Sequence, residues 1–467
     1  MNHHTRYAGL THPVGVCLVG GGAFGQSFLA QARFIRRLSA RIAVDLTAEA
    51  AAKALFAAGF SPADIRLCEN PGDARAAFDA GKAVAAAALD TVQDLPFDIL
   101  VEATGHPEAA AIHAMAAIER RRHVLLVTKE TDSVAGPILA RRAREKSVGL
   151  TPVDGDQPAL LIDMITWAET LGLDLIGAGK SSEYDFVFDA TTGTVTSNGR
   201  TVSLPDLAPH WAPGERSLRA VAQARSAVLG TAFPLRAVPD LCELALVANA
   251  TGFMPDVPPF HAPVARVPEV ADLFSTGGSD SLFSGRRRLD VFHHLRAPDE
   301  ASFAGGVFVT LACHDRASWQ ILAEKGHVVS RNGAFAMVYL PRHLLGIEAA
   351  TSILDLAGLG ISTYPEDYAP HFDLVAVATR DLPAGTRLDA IGHHHTIDGV
   401  TAELRPMQVL AADETTPYYL AANRTLARPV SKGAAIRPGD LALMPDSPLL
   451  ALRLAQDSAF GPKTSGH

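Results

Sequence analysis

Val14-Gly-Val-Cys-Leu-Val19 runs directly into Gly20-Gly21-Gly22-Ala23-Phe24-Gly25. A short apolar run that feeds G-x-G-x-x-G and then a helical pattern predicts a strand, a tight turn and a helix. Phe24, Phe28, Ala32 and Ile35 recur at helical spacing, so one helix face can pack on a sheet. Gly20 permits the turn, Gly22 lets backbone approach a pyrophosphate, and Gly25 lets helix and strand pack closely. Gly20, Gly22, Ala23, Phe24 and Gly25 are thus the expected phosphate cradle, where free N–H groups and the positive end of the helix dipole meet phosphate. A second apolar stretch, Arg41-Ile-Ala-Val-Asp45, ends in an acid twenty residues past Gly25. A carboxylate there can accept a hydrogen bond from a ribose hydroxyl. Together these features predict a nicotinamide dinucleotide site.

The chain has 467 residues, too many for one ordinary core, which implies two or three domains. A formal charge of −9 argues against nonspecific nucleic-acid binding, which needs a basic surface. Cys17, Cys68, Cys242 and Cys313 are scattered without a C-x-x-C pair, and the first dozen residues are polar with no apolar leader. Both point to a reducing cytoplasm. No apolar run is long enough to span a bilayer, and the tail after Ala455 is expected to fray. The expected partners are a small-molecule substrate and a second copy of the chain in a homodimer, with neither nucleic acid nor membrane.

Strand and helix patterns alternate through the first third. An Ala-rich helix follows Asp45 from Thr47 to Ala58, and more helix is expected to about Ala88. Phe97-Asp-Ile-Leu-Val101 and His123-Val-Leu-Leu-Val127 read as strands, the first leading to Glu102-Ala-Thr-Gly105 and the second to Thr128-Lys129-Glu130. The fold class is therefore α/β, a Rossmann-type doubly wound parallel sheet over residues 12–150. Ligands in such sheets bind beyond the carboxyl ends of the strands, which adds Asp45, Thr104, Gly105, Lys129 and Glu130 to the cofactor-binding set. Residues 151–363 are expected to form an α+β catalytic domain, and 364–455 a small β-rich domain. Within the middle domain, Ser275-Thr-Gly-Gly-Ser-Asp-Ser281 reads as a mobile loop or lid.

Several middle-domain residues have the chemistry of a site. Asp154 and Asp156 flank Gly155 before a helix, where two carboxylates can share a hard divalent cation. Asp156 is equally suited to cap that helix, with Pro158 in its first turn. Lys180, between Gly179 and two serines, suits a substrate oxyanion or a proton transfer. Glu243 falls near the apolar face of a helix that ends at Asn249-Ala-Thr-Gly252, where a buried carboxylate must be paired or used. His343, close to Arg342 and Glu348, can act as an acid or base. His393-His-His395 has a metal-tract composition, but three adjacent histidines point in different directions. Lys180, Glu243, Asn249 and His343 are the candidate catalytic residues.

These motifs, in this order, resemble the homoserine-dehydrogenase-like oxidoreductases with a C-terminal SAF domain, and among them the 1-deoxy-D-xylulose 5-phosphate (DXP) reductoisomerase-like (DRL) proteins. The resemblance rests on Gly20 to Gly25, Glu102-Ala-Thr-Gly105, Lys129-Glu130, Gly155-Asp-Gln-Pro-Ala159, Ala178-Gly-Lys180, Glu243 with Asn249 to Gly252, Gly305-Gly-Val-Phe308, Pro341-Arg-His-Leu344 and Arg380-Asp-Leu-Pro-Ala-Gly-Thr386. It implies a SAF-like end, NADPH as coenzyme and a divalent metal, Mg or Mn, at Asp154 and Asp156. It also implies reductive isomerisation of a small hydroxy-ketone or sugar phosphate. Asp45 pulls the other way, since a strand-end acid favours NAD. The competing readings are a homoserine-dehydrogenase-like dehydrogenase of a small alcohol without metal, and a cofactor-binding sensor that recruits a partner.

Overall fold

The computed structural model describes residues 2–392, 395–442 and 446–461. A short helix α1 (His3–Arg6) precedes β1 (Val14–Val19), α2 (Ala23–Ala32), β2 (Leu38–Val44), α3 (Ala48–Ala57), β3 (Ile65–Cys68), α4 (Pro71–Asp79) and β4 (Ala83–Ala86). Then come β5 (Ile99–Glu102), α5 (Pro107–Glu119), β6 (His123–Leu126), α6 (Lys129–Glu145) and β7 (Leu150–Thr151). The seven strands form one parallel sheet in the order β3-β4-β2-β1-β5-β6-β7. The stretch expected to be helical up to Ala88 instead holds β3 and β4. Asn70, whose side chain accepts from Asp73 N–H, restarts the helix with Pro71, so one alanine-rich composition serves two strands and a helix.

Register sets the site. Val19 pairs with Val44 on one side and Glu102 on the other, and Glu102 pairs in turn with Leu126. Four strands thus stop on one line, and the turns after them share one edge of the sheet. Chain order reverses across β1, the switch point where open α/β sheets bind ligands. Gly20 (φ +99°) makes the first turn, and a Cβ there would lie 2.4 Å from the Ala103 carbonyl oxygen.

Beyond α7 (Gln157–Thr170), β8 (Leu175–Asp189) is the spine of a second sheet. It is continued by β9 (Thr194–Ser197) and β10 (Arg200–Ser203), then the helices α8 (Leu218–Leu229) and α9 (Val238–Thr251). The short strands β11 (Met254–Pro255) and β12 (Val264–Ala265), helix α10 (Val270–Leu273) and strand β13 (Arg288–Arg296) follow. They lead to β14 (Val307–Ala312), α11 (Arg316–Glu324), β15 (Val328–Val329), β16 (Phe335–Leu340) and α12 (Ala349–Ile353). β8 lies between β13, parallel to it, and β14, antiparallel, with α7 and α9 packed on one face. The expected lid at 275–281 is tied down instead, the Ser275 and Ser281 hydroxyls lying 2.7 Å apart.

The last part holds β17 (Phe372–Ala378), β18 (Ala390–Ile391), β19 (Thr396–Ile397), β20 (Val400–Pro406), α13 (Tyr418–Ala421) and α14 (Pro448–Phe460). α14 continues well past Ala455, where fraying was expected, because it has work to do on α6. That helix is broken at Ala135 just ahead of Pro137, which costs a helical hydrogen bond. Buried Gln456 repairs the break, accepting from Ile138 N–H at 3.3 Å and donating to the Val134 carbonyl at 3.0 Å. Residues 462–467 lie outside the described part of the chain.

Asp132 on α6 is fully buried and accepts from the hydroxyls of Tyr364 (2.6 Å) and Tyr368 (3.0 Å). Burial pushes its carboxyl up to about 7, against the pull of both hydroxyls. The folded state therefore holds a proton that the unfolded chain releases near the ordinary carboxylate range, so this group's contribution falls as pH rises from about 4 to about 7. Asp132→Asn should gain stability relative to the parent protein between pH 5 and pH 8, by at most about 1.4 kcal/mol per pH unit crossed. Denaturant midpoints of the two proteins across that range measure it.

Candidate active site

The glycine turn and helix start form where the motif predicts them. α2 starts at Gly22 with no side-chain cap, which leaves its first amides to a ligand. A Cβ on Gly22 would meet nothing within 4 Å, whereas one on Gly25 would strike the Gly20 carbonyl oxygen at 2.2 Å. Gly25 is thus small for packing, and Gly22 faces open space. That space is a cavity of about 660 Å³ lined by Gly20, Gly21, Gly22, Asp45, Leu46, Ala88, Thr104 and His106, among others. Its size and its uncapped helix end fit a dinucleotide. Ala23 and Phe24 continue the same helix turn.

Thr104, Gly105 and Glu130 shape the neighbouring wall. Glu102, buried at the end of β5, accepts from Thr104 Oγ1 at 2.7 Å and from Thr128, and lies 3.2 Å from His113 Nδ1. The Thr128 hydroxyl oxygen in turn accepts from Gly105 N–H at 3.0 Å. Glu130 is buried, which pushes its carboxyl up to about 7 against the pull of Lys129. His395 of the last domain approaches it at 3.3 Å. His393 and His394, the rest of the histidine run, lie outside the described residues.

Beside this wall stands a cluster of alternating charge. Glu243, on α9, accepts from both Lys129 and Lys180. Lys180 also lies 2.7 Å from Asp240, and Asp240 accepts from Ser182 Oγ at 2.7 Å. Lys129 completes the set with Asp156 at 3.2 Å. Gln157, its amide oriented to donate, reaches Asp156 and both Glu243 oxygens at 3.0 Å. Burial would lower both ammonium groups, but Asp156 and Glu243 hold Lys129 well above its ordinary value, and Asp240 and Glu243 do the same for Lys180. Burial would raise Glu243, and the two lysines overcome it and hold its carboxyl low. The cluster is charged throughout because every buried ion has a counter-ion.

Exposure separates the two lysines. The Lys180 side chain is 0% exposed, sealed behind Glu243, whereas that of Lys129 is 20% exposed. The residue read from sequence as a cofactor contact is therefore the more exposed of the two lysines. His343 sits at the same cleft: a Cβ added to Gly305 would meet its Nδ1 at 2.2 Å and the Gln157 side chain at 3.1 Å. Burial lowers its imidazole, opposed by Asp156 and Glu243, so His343 is neutral at pH 7. Asp240 was not singled out in the sequence, although its spacing of three from Glu243 puts both on one helix face.

Two expectations do not survive. Asn249 does not reach the cluster. Its Oδ1 accepts from His371 and Phe372 N–H, both at 2.8 Å, and its Nδ2 donates to the Phe372 carbonyl at 3.1 Å. It anchors the start of β17 instead. The second is the shared cation at Asp154 and Asp156. Gly155 (φ +85°) turns the chain between them against the Leu345 carbonyl, and the two side chains part. Asp156 caps α7 and pairs with Lys129. Asp154 faces α12, where its N–H donates to Ser352 Oγ at 2.7 Å and its carboxyl, pushed up by burial, has Thr351 and Ser352 as partners. Among the described residues no group of three or more His, Cys, Asp and Glu side chains is placed to hold a metal ion. The donor set does not fit the expected metal, and no step is derived through one.

Residues 155–349 match the model of the catalytic domain of oxidoreductase DRL, and residues 375–442 match the SAF domain. This chain carries a DRL catalytic domain and a SAF domain. No curated protein matches the chain. Among solved structures it is similar to 1-deoxy-D-xylulose 5-phosphate reductoisomerase from Zymomonas mobilis in complex with NADPH, at 19% identity over 51% of this chain and 58% of that one, with a TM-score of 0.29. GenD2 from gentamicin A biosynthesis in complex with NAD matches at 20% identity over 38% and 45%, with a TM-score of 0.26. The WlbA dehydrogenase from Bordetella pertussis, in complex with NADH and UDP-GlcNAcA, matches at 17% over 37% and 48%, with a TM-score of 0.25. The matched part spans about half the length of those proteins. Likenesses this distant say nothing of what the chain binds. No helix among the described residues is long and apolar enough to cross a membrane.

Asn249→Ala should lower stability by about 1–3 kcal/mol, the cost of leaving buried backbone groups of β17 unpaired. Affinity for reduced coenzyme should stay unchanged. Chemical denaturation and a coenzyme titration on the same preparation test both halves.

Proposed function

We propose that this protein reduces the carbonyl of a small hydroxy-ketone or related keto compound with a nicotinamide coenzyme, Lys129 supplying the proton. The observation that carries this reading is the pairing of Lys129, charged and partly open to the cleft, with the sealed Glu243–Lys180–Asp240 chain behind it. The coenzyme, when bound in the cradle, supplies the hydride.

The chain's own residues then account for the rest. Lys129, held protonated, donates to the carbonyl oxygen as negative charge develops there, which is where a preorganised cation helps most. Glu243 and Asp156 fix the ammonium in place. Lys180 does not touch substrate in this reading: it is a positioning residue that keeps Glu243 ionised. The Gln157 amide, buried against Asp156 and Glu243, helps hold the carboxylates, and half-buried His343 beside it can orient a substrate hydroxyl. Reductive isomerisation, the finer activity the resemblance implies, has less support, because it calls for a cation between two substrate oxygens and Asp154 and Asp156 diverge. A metal-free reduction, as in the homoserine-dehydrogenase-like alternative, fits the cluster better.

Loss of the reduced-coenzyme absorbance on adding members of a panel of hydroxy-ketones, keto-sugars and their phosphates, with and without Mg²⁺ or Mn²⁺, tests the proposal. Turnover that survives chelation is expected. Lys129→Met should lower kcat at least about a hundredfold, the usual range for losing a general acid, with coenzyme affinity retained. A variant with normal kcat would remove Lys129 from the chemistry. The same reading takes the protein to be a cytoplasmic homodimer, and light scattering on the purified chain should return twice the monomer mass.

A further inference from the structure

The resemblance implies NADPH, but the pocket is not built for a 2′-phosphate. We infer that this site selects NAD(H) over NADP(H), with Asp45 and Leu46 as the deciding residues; the inference rests on the dinucleotide reading of the cradle.

Asp45 is not a loose surface acid. It follows β2 directly, its Oδ2 accepts from Gly21 N–H at 2.9 Å, and its Oδ1 accepts from Leu46 N–H at 2.7 Å. Its own N–H donates to the Ala86 carbonyl at the end of β4. The carboxylate is therefore tied to the glycine turn, and its freedom to swing away from a bound adenosine is small. A Cβ at Gly21 would lie 2.8 Å from Asp45 Oδ2, so the two positions are fitted to each other. A carboxylate held at the end of this strand accepts from the ribose 2′-hydroxyl of NAD and repels a phosphate in its place.

What NADP would need is a cation next to that acid, and the pocket has none. Among the described residues lining the cavity there is no lysine or arginine. Nearby cations are committed elsewhere. Arg33 donates to the Ala58 carbonyl, and Arg41 donates to the Lys82 carbonyl and lies over the Phe78 ring. The position after the acid is Leu46, 93% exposed. Ala87 and Ala88 line the same cavity and add apolar surface to it. Thr47, next in line, has its hydroxyl occupied as the cap of α3, accepting from Ala50 N–H. A 2′-phosphate would thus meet the Asp45 carboxylate with no lysine or arginine beside it, His106 and His113 being the basic side chains among the described residues that line the cavity.

Like charges about 4 Å apart correspond to about fivefold in affinity in bulk water and about a thousandfold near a protein surface, with roughly a hundredfold in between. Titration of the purified full chain with NADH and with NADPH, followed by calorimetry, should show NADH binding tighter by about that factor. Leu46→Arg leaves Asp45 and its hydrogen bonds in place and adds the missing cation. It should tighten NADPH at least about tenfold. Asp45→Ser with Leu46→Arg should invert the preference. Equal or tighter binding of NADPH by the unmodified protein would overturn the selectivity while leaving the dinucleotide site intact. Binding of neither coenzyme would overturn the site itself and this inference with it.

Discussion

The structure turns on one carboxylate. Glu243 lies between two ammonium groups that come from different domains: Lys129 opens α6 at the edge of the nucleotide-binding sheet, and Lys180 sits in the middle of β8. Each of these ions alone would carry a desolvation cost of several kcal/mol. Together with Asp156 and Asp240 they satisfy one another, each ammonium facing two carboxylates and Glu243 facing two ammonium groups. Such a network is weak evidence for stability, since apolar residues of the same volume could fill the space as well. Its retention makes sense as chemistry. It fixes the start of α6 against β8 and α9 at the edge of the seven-stranded sheet.

Legibility in the sequence followed local physics. The G-x-G-x-x-G turn, Asp45 and the strand ends at Glu102 and Leu126 were readable because each is set by a short stretch of chain. Strands β3 and β4 were missed because Ile65–Cys68 and Ala83–Ala86 are only four residues each, and three of the four residues of β4 are alanines that carry no period-two signal. Glu243 and Lys180 were recognised as candidates, but their pairing joins residues 63 positions apart, and no local pattern encodes that. The aspartate pair shows the opposite failure. Spacing of i and i+2 suggested convergence, and a single left-handed glycine sent the two carboxylates to opposite sides of the chain.

The SAF-containing end does more than follow the catalytic domain. It grips the two helices that carry the ion cluster. On α9, Asn249 holds the first residues of β17 two turns beyond Glu243. On α6, Asp132 takes the hydroxyls of Tyr364 and Tyr368, whose stacked rings are 4.0 Å apart, one turn beyond Lys129. Gln456 then mends the break in the same helix. Arg453, fully buried, ties α14 to β17 through Asp373 and Asp457.

These contacts share a geometric consequence. A proton donor is effective only if its position relative to the reacting carbonyl is held to a fraction of an ångström, and displacements of about 1 Å can cost a hundredfold in rate. A kinked helix with Pro137 inside it is a poor platform for such a group. The break lies six residues from Lys129, and without Gln456 and the tyrosine pair the first turns of α6 would be free to pivot on it. Fastening them from the far domain removes that freedom without placing any side chain of β17 or α14 in the ion cluster. The C-terminal elements thus hold the first turns of α6, and in the proposed reading the placement of Lys129 depends on those contacts.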